Sequence, residues 1–169
     1  METQIHKFEE AGLGKAPFKF IRVFEKVYVS CPGAPAQAAG TCDYCGNGIK
    51  YCCVIRDKDG KEFIVGNECV KKTEDAGLHS VTDKAVRSMI SEAKRVAKFE
   101  ANKAKAAEAE RIFRSGQIDA ALKALPHPNT YMADKGLTKY DYIEWILVNA
   151  GLQKRAEYLQ YFNSLTQGA

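Results

Sequence analysis

Apolar residues recur at every second position between residues 18 and 30, a period typical of a β-strand with one buried face. The apolar residues in question are Ile21, Val23, Val27 and Val29. Residues 49–56 and 62–65 are rich in β-branched and aromatic side chains and flank an Asp-Lys-Asp-Gly turn, which is the pattern of a β-hairpin. A glycine turn at Gly66 then leads into residues 67–72, for which we expect a short helix.

The rest of the chain has helical periods. Residues 82–115 contain good helix formers without Pro or Gly, and Thr82 and Asp83 are typical cap residues at their start. One side of this long helix is predicted to be apolar, and it carries Val86, Met89, Ile90, Ala93, Val96, Ala97 and Ala104. Three shorter helices are predicted over residues 117–125, 138–150 and 152–165.

These patterns predict an α+β fold. A chain of 169 residues fits one domain, or a small domain with an appendage. We expect three segments: a zinc-binding, β-rich domain over residues 1–81, a long basic helix over residues 82–115, and a C-terminal helical segment over residues 116–169. No apolar run approaches the roughly 18 residues of a membrane span, and the N-terminus lacks the order of a signal peptide. We therefore expect a cytoplasmic protein with reduced thiols and no membrane partner.

Cysteines carry the strongest chemical signal in the sequence. Cys42 and Cys45 are separated by two residues and followed at once by Gly46, a spacing with which both thiolates of a turn can reach one Zn²⁺. Cys69 follows the predicted hairpin, in the first turn of the short helix. Knuckle, hairpin and helix-borne ligand are the order of a treble-clef zinc module. The alternatives are reduced, metal-free cysteines and a redox Cys-x-x-Cys, but a redox motif is expected at a helix N-terminus in a βαβ context that is absent here.

The fourth ligand is harder to assign. We expect Cys31, because it ends the first strand and a loop rich in glycine and proline can return it to the knuckle. His79 is the runner-up, ten residues after Cys69. Cys52 and Cys53 are expected to be core residues, because successive side chains of a strand point to opposite faces. Zinc bound by Cys31, Cys42, Cys45 and Cys69 has no open position, so its role would be structural. If only three protein ligands hold the ion, the fourth position could bind water, and hydrolysis would become conceivable.

Positive charge is concentrated in the long helix. Residues 82–115 contain 9 Lys/Arg against 5 Asp/Glu, whereas the flanking segments are balanced, so the net charge of +4 belongs to this helix. At 100° per residue, five of the cations form one stripe, namely Lys84, Arg87, Lys94, Lys98 and Lys105. Such a stripe can neutralise phosphates, although a solvated helix face with interspersed acids has the same composition.

Several short motifs resemble those of a group of small bacteriophage-encoded zinc-binding proteins. They are Ala11-Gly12-Leu13-Gly14-Lys15-Ala16-Pro17-Phe18, Thr41-Cys42-Asp43-Tyr44-Cys45-Gly46, Val65-Gly66-Asn67-Glu68-Cys69, Leu125-Pro126-His127-Pro128-Asn129 and Tyr142-Ile143-Glu144-Trp145. In similar sequences the turn before the helix often reads Gly-Cys-x-Cys, whereas here Asn67 stands where the first of those cysteines would be. The resemblance implies a structural zinc ion and a location in the host cytoplasm, and it implies no activity.

Three functions follow from these observations. The first is a non-enzymatic module that binds nucleic acid through the basic helix. The second is a protein-interaction factor that docks on and modulates a host enzyme or defence system, through the alanine-rich half of the helix or the aromatic residues between Tyr131 and Phe162. The third is a treble-clef nuclease, which is disfavoured because residues 46–72 contain no histidine to act as a general base. The patterns leave the oligomeric state open.

Overall fold

The computed structural model describes residues 5–167 and divides into two compact units, which meet in sequence between Ala93 and Lys94. The division lies inside the long helix, whereas the sequence patterns led us to three segments. The strands are β1 Lys19–Glu25, β2 Val27–Tyr28, β3 Gln37–Ala38, β4 Gly40–Thr41, β5 Gly48–Ile49, β6 Tyr51–Arg56 and β7 Glu62–Val65. The helices are α1 Lys7–Glu10, α2 Asn67–Lys71, α3 Ala76–Arg114, α4 Asp119–Lys123, α5 Thr130–Asp134, α6 Lys139–Asn149 and α7 Leu152–Gln167. No helix in this range is long and apolar enough to cross a membrane.

A three-stranded antiparallel sheet in the order β1-β6-β7 forms the centre of the first unit. The predicted hairpin is confirmed, because β6 and β7 pair from Cys53 opposite Val65 to Arg56 opposite Glu62. Two short two-stranded ladders accompany this sheet, β2 with β3 and β4 with β5. Together with the helices, they give the predicted mixture of α and β structure.

The prediction of which side chains of the first strand face the core is only partly correct. The pairing of β1 with β6 shifts between Phe20 and Arg22, a β-bulge at Ile21. One extra residue reverses the alternation of side chains, so Phe20 and Val23 pack against the core while Ile21 is exposed. Val27 and Val29, beyond the end of the sheet, are exposed as well.

Aromatic side chains fill the core of the first unit. Phe8 of α1, an element that we did not predict, is fully buried. Its ring makes T-shaped, edge-to-face contacts with Phe18, Tyr44 and Phe63 at 5.3–5.6 Å between ring centroids. Such tilted pairs add about 1 kcal/mol each to the burial of the rings. The segment before β1 is thereby attached to the sheet and to the turn that holds Cys42 and Cys45.

The long helix α3 begins at Ala76 rather than at Thr82. Asp75 caps it, since its carboxylate accepts a hydrogen bond of 2.9 Å from the Leu78 N–H. Thr82 lies inside the helix, fully buried, and its hydroxyl donates to the carbonyl oxygens of Leu78 and His79. The hydroxyl of a threonine inside a helix can donate to backbone carbonyl oxygens one turn earlier. Thr82 therefore does not cap α3, although its residue type is typical of a cap.

The apolar face predicted for α3 is buried only in its first part. Leu78 and Val86 are buried and Ile90 packs on the first core, but every side chain from residue 91 to residue 101 is exposed. Burial resumes at Ala106, Ala109, Ile112 and Phe113. Ala93, Val96, Ala97 and Ala104 of the predicted face are therefore solvent-exposed, because no other described element covers them.

The second unit is helical. Its core contains Ala109, Ile112, Phe113, Ile118, Leu122, Ile143, Leu147 and Phe162. The predicted short helices are confirmed as α4, α6 and α7, with α5 in addition. Thr138 and Asp141 form a capping box at the start of α6, since the carboxylate accepts 2.7 Å hydrogen bonds from the Thr138 N–H and hydroxyl. Trp145, one of the aromatic residues between Tyr131 and Phe162 considered for partner binding, is 58% exposed.

Candidate metal centre

The turn that carries Cys42 and Cys45 depends on the backbone conformation of Gly46. Gly46 has a φ of +74°, a conformation that residues with a Cβ adopt only at a cost. Its N–H donates to the Cys42 carbonyl oxygen at 2.8 Å, and the Cys42 N–H donates to the Asn47 carbonyl oxygen at 3.0 Å. The β4–β5 ladder closes the base of the turn. The Cys-x-x-Cys-Gly sequence therefore folds as the predicted knuckle.

Residues between the two cysteines fasten the knuckle to the sheet. The Asp43 N–H donates to the Ile64 carbonyl oxygen at 2.7 Å, and the Asp43 carboxylate accepts from the Ile64 N–H at 2.6 Å. Tyr44 packs on Phe8. Because Ile64 belongs to β7 and β7 leads into α2, this attachment brings the knuckle to the start of the helix that carries Cys69.

Three sulfurs converge where the knuckle meets α2. The Sγ atoms of Cys42, Cys45 and Cys69 all lie within 4.8 Å of one another, and Cys45 and Cys69 are 3.4 Å apart. Zn–S bonds of about 2.3 Å at tetrahedral angles require sulfurs about 3.8 Å apart, so the three residues fit one zinc ion. The grouping of these three cysteines is confirmed. It is the only group of three or more such ligands found within residues 5–167.

The metal-free thiols differ in acidity. A hydrogen bond from the Asn47 backbone, followed by one with Cys69 and by the charge of Lys72, lowers the pKa of the exposed Cys45. Burial, followed by hydrogen bonds with Cys45 and Cys42, raises the pKa of Cys69 to about 12. Three thiols in contact cannot all ionise without a cation between them. A bound divalent metal supplies that cation and deprotonates its ligands.

Neither residue predicted as the fourth ligand joins the group. Cys31 is exposed, in a turn closed by a hydrogen bond from the Ala34 N–H to its carbonyl oxygen, and it lies outside the sulfur cluster. His79 lies on α3 and is also outside the cluster. Within the segment between β2 and β4, strand β3 pairs with β2. The segment therefore does not return Cys31 to the knuckle.

The remaining cysteines are core residues, as predicted. Cys52 and Cys53 are 1% and 0% exposed on β6, and burial raises the pKa of Cys53 to about 11. Gly40 lies against Cys52 so closely that a Cβ at residue 40 would overlap the Cys52 sulfur. Their role is packing around the site, because both lie outside the group of converging sulfurs.

One contact beside the centre was not apparent from the sequence. Asn67, the first residue of α2, donates through its side-chain amide to the Asp83 carboxylate at 3.2 Å. The second oxygen of Asp83 pairs with Arg87 at 2.9 Å. The helix that carries Cys69 is thereby attached to α3 through a hydrogen bond from Asn67.

All five cations of the predicted stripe lie on α3 and are exposed. Among the described residues only Arg87 of these five forms an ion pair, with Asp83. Three acids of the same helix pair with other cations: Glu100 with Lys103, Glu108 with Arg111 and Glu110 with Arg114. These three acids therefore do not neutralise the cations of the stripe.

Comparison with models of known protein families, with curated proteins and with solved structures finds no match to this chain. The resemblance to phage-encoded zinc proteins stays a prediction. The function must be argued from the cysteine cluster and from the charges of α3.

Proposed function

We propose that the protein is a non-enzymatic, nucleic-acid-binding module whose first unit is organised by a structural zinc ion. The convergence of Cys42, Cys45 and Cys69 is the observation that carries the metal assignment. Zn²⁺ would join the knuckle to α2 and thereby to the sheet, and this link between segments distant in sequence, rather than a closed set of four protein ligands, is what supports a structural role. Because all three donors are thiolates, the set favours zinc over magnesium or calcium, which prefer oxygen ligands.

The charge pattern of α3 supports nucleic acid as the partner. Lys84, Lys94, Lys98 and Lys105 are exposed and make no ion pair within the described part of the chain. A solvated helix face would be expected to pair its cations with the acids interspersed among them, but Glu100, Glu108 and Glu110 pair with Lys103, Arg111 and Arg114. Unpaired cations on one side of a helix are suited to phosphate groups.

The salt dependence of binding tests this function. Affinity for a labelled oligonucleotide should fall steeply as salt rises. The double variant Lys84→Gln, Lys94→Gln should bind less tightly, and its slope of log affinity against log salt concentration should be smaller by about 1.4–1.8, because each phosphate contact contributes about 0.7–0.9. Lys50→Gln is the matched control, since Lys50 lies between β5 and β6, away from α3 in sequence, and is paired with Glu25 at 2.9 Å. Affinity that is unchanged by salt, or lost equally in the control, would contradict the proposal.

A second candidate is protein interaction through the second unit. An apolar groove of about 400 Å³ is lined by His127, Met132, Leu137, Tyr142 and Trp145. Met132, Leu137 and Trp145 are each more than a third exposed, which is unusual for large apolar side chains gathered in one place. Affinity capture with the wild-type protein and Trp145→Ser in parallel tests this candidate, and a partner recovered equally by both would count against it.

A further inference from the structure

The second unit contains a cleft between two helices that neither the metal centre nor the apolar groove explains, lined mainly by polar side chains together with Ala156 and Leu159. It has a volume of about 390 Å³ and lies between α3 and α7. One wall carries Lys98, Asn102 and Lys105 of α3, and the other carries Gln153, Gln160 and Asn163 of α7. Each set follows a helical repeat, so each forms a row along one side of its helix.

The polar groups of this cleft lack partners in the described structure. Neither Lys98 nor Lys105 forms an ion pair, and the side-chain amides of the four Asn and Gln residues make no hydrogen bond within residues 5–167. The single acid of the lining, Glu157, is paired with Lys154 at 3.1 Å. The cleft therefore presents two positive charges and four carboxamides that are not engaged by the protein itself.

Their chemistry is suited to a nucleic-acid strand. Lys98 and Lys105 are seven residues apart, about 10 Å along the helix, which corresponds to about three nucleotide steps of a stacked strand. A carboxamide has both donors and an acceptor, so Asn and Gln can hydrogen-bond base edges and sugar hydroxyls. The two lysines would bind phosphates, and the carboxamides would contact the bases and sugars between those phosphates.

The shape of the site selects a single strand. A helix that reads a duplex must project into its groove, whereas the cations here line a concave surface whose opposite wall is α7. A volume of about 390 Å³ is in the lower part of the range for small-ligand sites, enough for a nucleotide. We propose that the cleft between α3 and α7 binds one strand of nucleic acid, with phosphates at Lys98 and Lys105. This inference rests on the proposed function and specifies where and in what form the nucleic acid binds.

Single substitutions in the full-length protein test the cleft. The probes are a labelled 12-nucleotide single strand of mixed sequence, as DNA and as RNA, and the corresponding DNA duplex, at one fixed salt concentration. Lys105→Gln and Gln160→Ala should each weaken single-strand binding by about 3- to 10-fold. The matched control is Lys103→Gln, which removes a charge from the same helix outside the cleft, where Lys103 is paired with Glu100. It should change binding by less than about 2-fold.

Each outcome distinguishes the two proposals. Failure of the wild-type protein to bind any of the probes would remove the proposed function, and the cleft with it. Binding that Lys103→Gln weakens as much as Lys105→Gln, that Gln160→Ala leaves unchanged, or that is tighter for the duplex would overturn the cleft alone. Lysine acetylation of the wild-type complex is a second measurement that needs no variant. Protection of Lys98 and Lys105, with Lys103 still reactive, is expected, and equal reactivity of all three would overturn the cleft.

Discussion

The two units of the chain achieve a packed core by different means. In the first, Cys42, Cys53 and Cys69 are part of the core, and the knuckle and α2 meet through sulfur atoms from residues 24 apart in sequence. In the second, helices that follow one another along the chain bury aromatic and aliphatic side chains, and no cysteine occurs after Cys69. A zinc ion is thus proposed where segments distant in sequence must be joined, and none is needed where neighbouring helices pack directly.

The unfolding of each unit can be measured separately, because each contains a residue that reports on it. Trp145, the one tryptophan of the chain, lies in the second unit, so its fluorescence reports unfolding there. Cys53 is fully buried in the first unit, so its alkylation, followed by peptide mass spectrometry, reports unfolding of that unit. The effect of a substitution on stability can therefore be assigned to one unit.

The largest effect is expected from removing a sulfur ligand. Cys69→Ser should abolish zinc binding and unfold the first unit, because structural zinc contributes on the order of 10 kcal/mol to the folding of small modules. Bound metal should disappear in elemental analysis, and Cys53 should become reactive toward alkylation. The unfolding midpoint followed by Trp145 should change little.

Cys31→Ser is the matched control for this experiment. Since Cys31 is exposed and lies outside the sulfur cluster, the variant should retain metal and protect Cys53. Loss of metal in Cys31→Ser would restore Cys31 as the fourth ligand. Retention of metal and of Cys53 protection in Cys69→Ser would contradict the metal centre itself.

A smaller effect, confined to the second unit, is expected from its core. Phe162 is fully buried, so Phe162→Ala should lower the free energy of unfolding by about 3–5 kcal/mol through lost burial and the resulting cavity. Denaturation followed by Trp145 fluorescence measures this change, and zinc content should be unchanged. Phe99→Ala, at a side chain that is 55% exposed, is the control and should change stability by no more than about 0.5 kcal/mol. Equal effects of the two substitutions would be inconsistent with this core.

The smallest effect is the acid sensitivity of the second unit. Hydrogen bonds from the Thr138 hydroxyl and backbone N–H lower the pKa of Asp141 below its usual range. A carboxylate with a lowered folded-state pKa adds stability above its unfolded pKa of about 3.9, and that stability is lost as the pH falls through the folded value.

Asp141→Asn should therefore remove part of the pH dependence of Trp145-monitored unfolding below about pH 4. Asp134→Asn is the control, because the Asp134 side chain is exposed on α5 and makes no hydrogen bond within the described residues. A pH profile that is the same for Asp141→Asn and the wild-type protein would show that this cap does not stabilise α6.

Local patterns predicted the elements that local interactions determine. The hairpin around residues 57–60, the knuckle at Cys42 and Cys45, and the placement of Cys69 in the first turn of a short helix are confirmed, because turn chemistry and residue spacing encode them directly. The stripe of cations on α3 is exposed as expected. These features need only the neighbouring residues to be specified.

Features that depend on packing between distant segments were missed. The bulge at Ile21 is a property of pairing with β6, and the position of Cys31 depends on the ladder between β2 and β3. The cleft between α3 and α7 requires both helices to be in place, so Gln153 and Gln160 carried no signal in the sequence.

The fully exposed stretch of α3 from residue 91 to residue 101 has a consequence for how the sequence can change over time. These side chains are not packed in a core, so selection for stability reaches them through helix propensity, where ordinary residues differ by at most about 0.7 kcal/mol, and through ion pairs along the helix such as that of Glu100 with Lys103. Drift should therefore be rapid among Ala, Glu, Lys, Arg and Gln, and rare toward Gly or Pro. A position outside the ion pairs of this helix that resists such drift would indicate a binding partner.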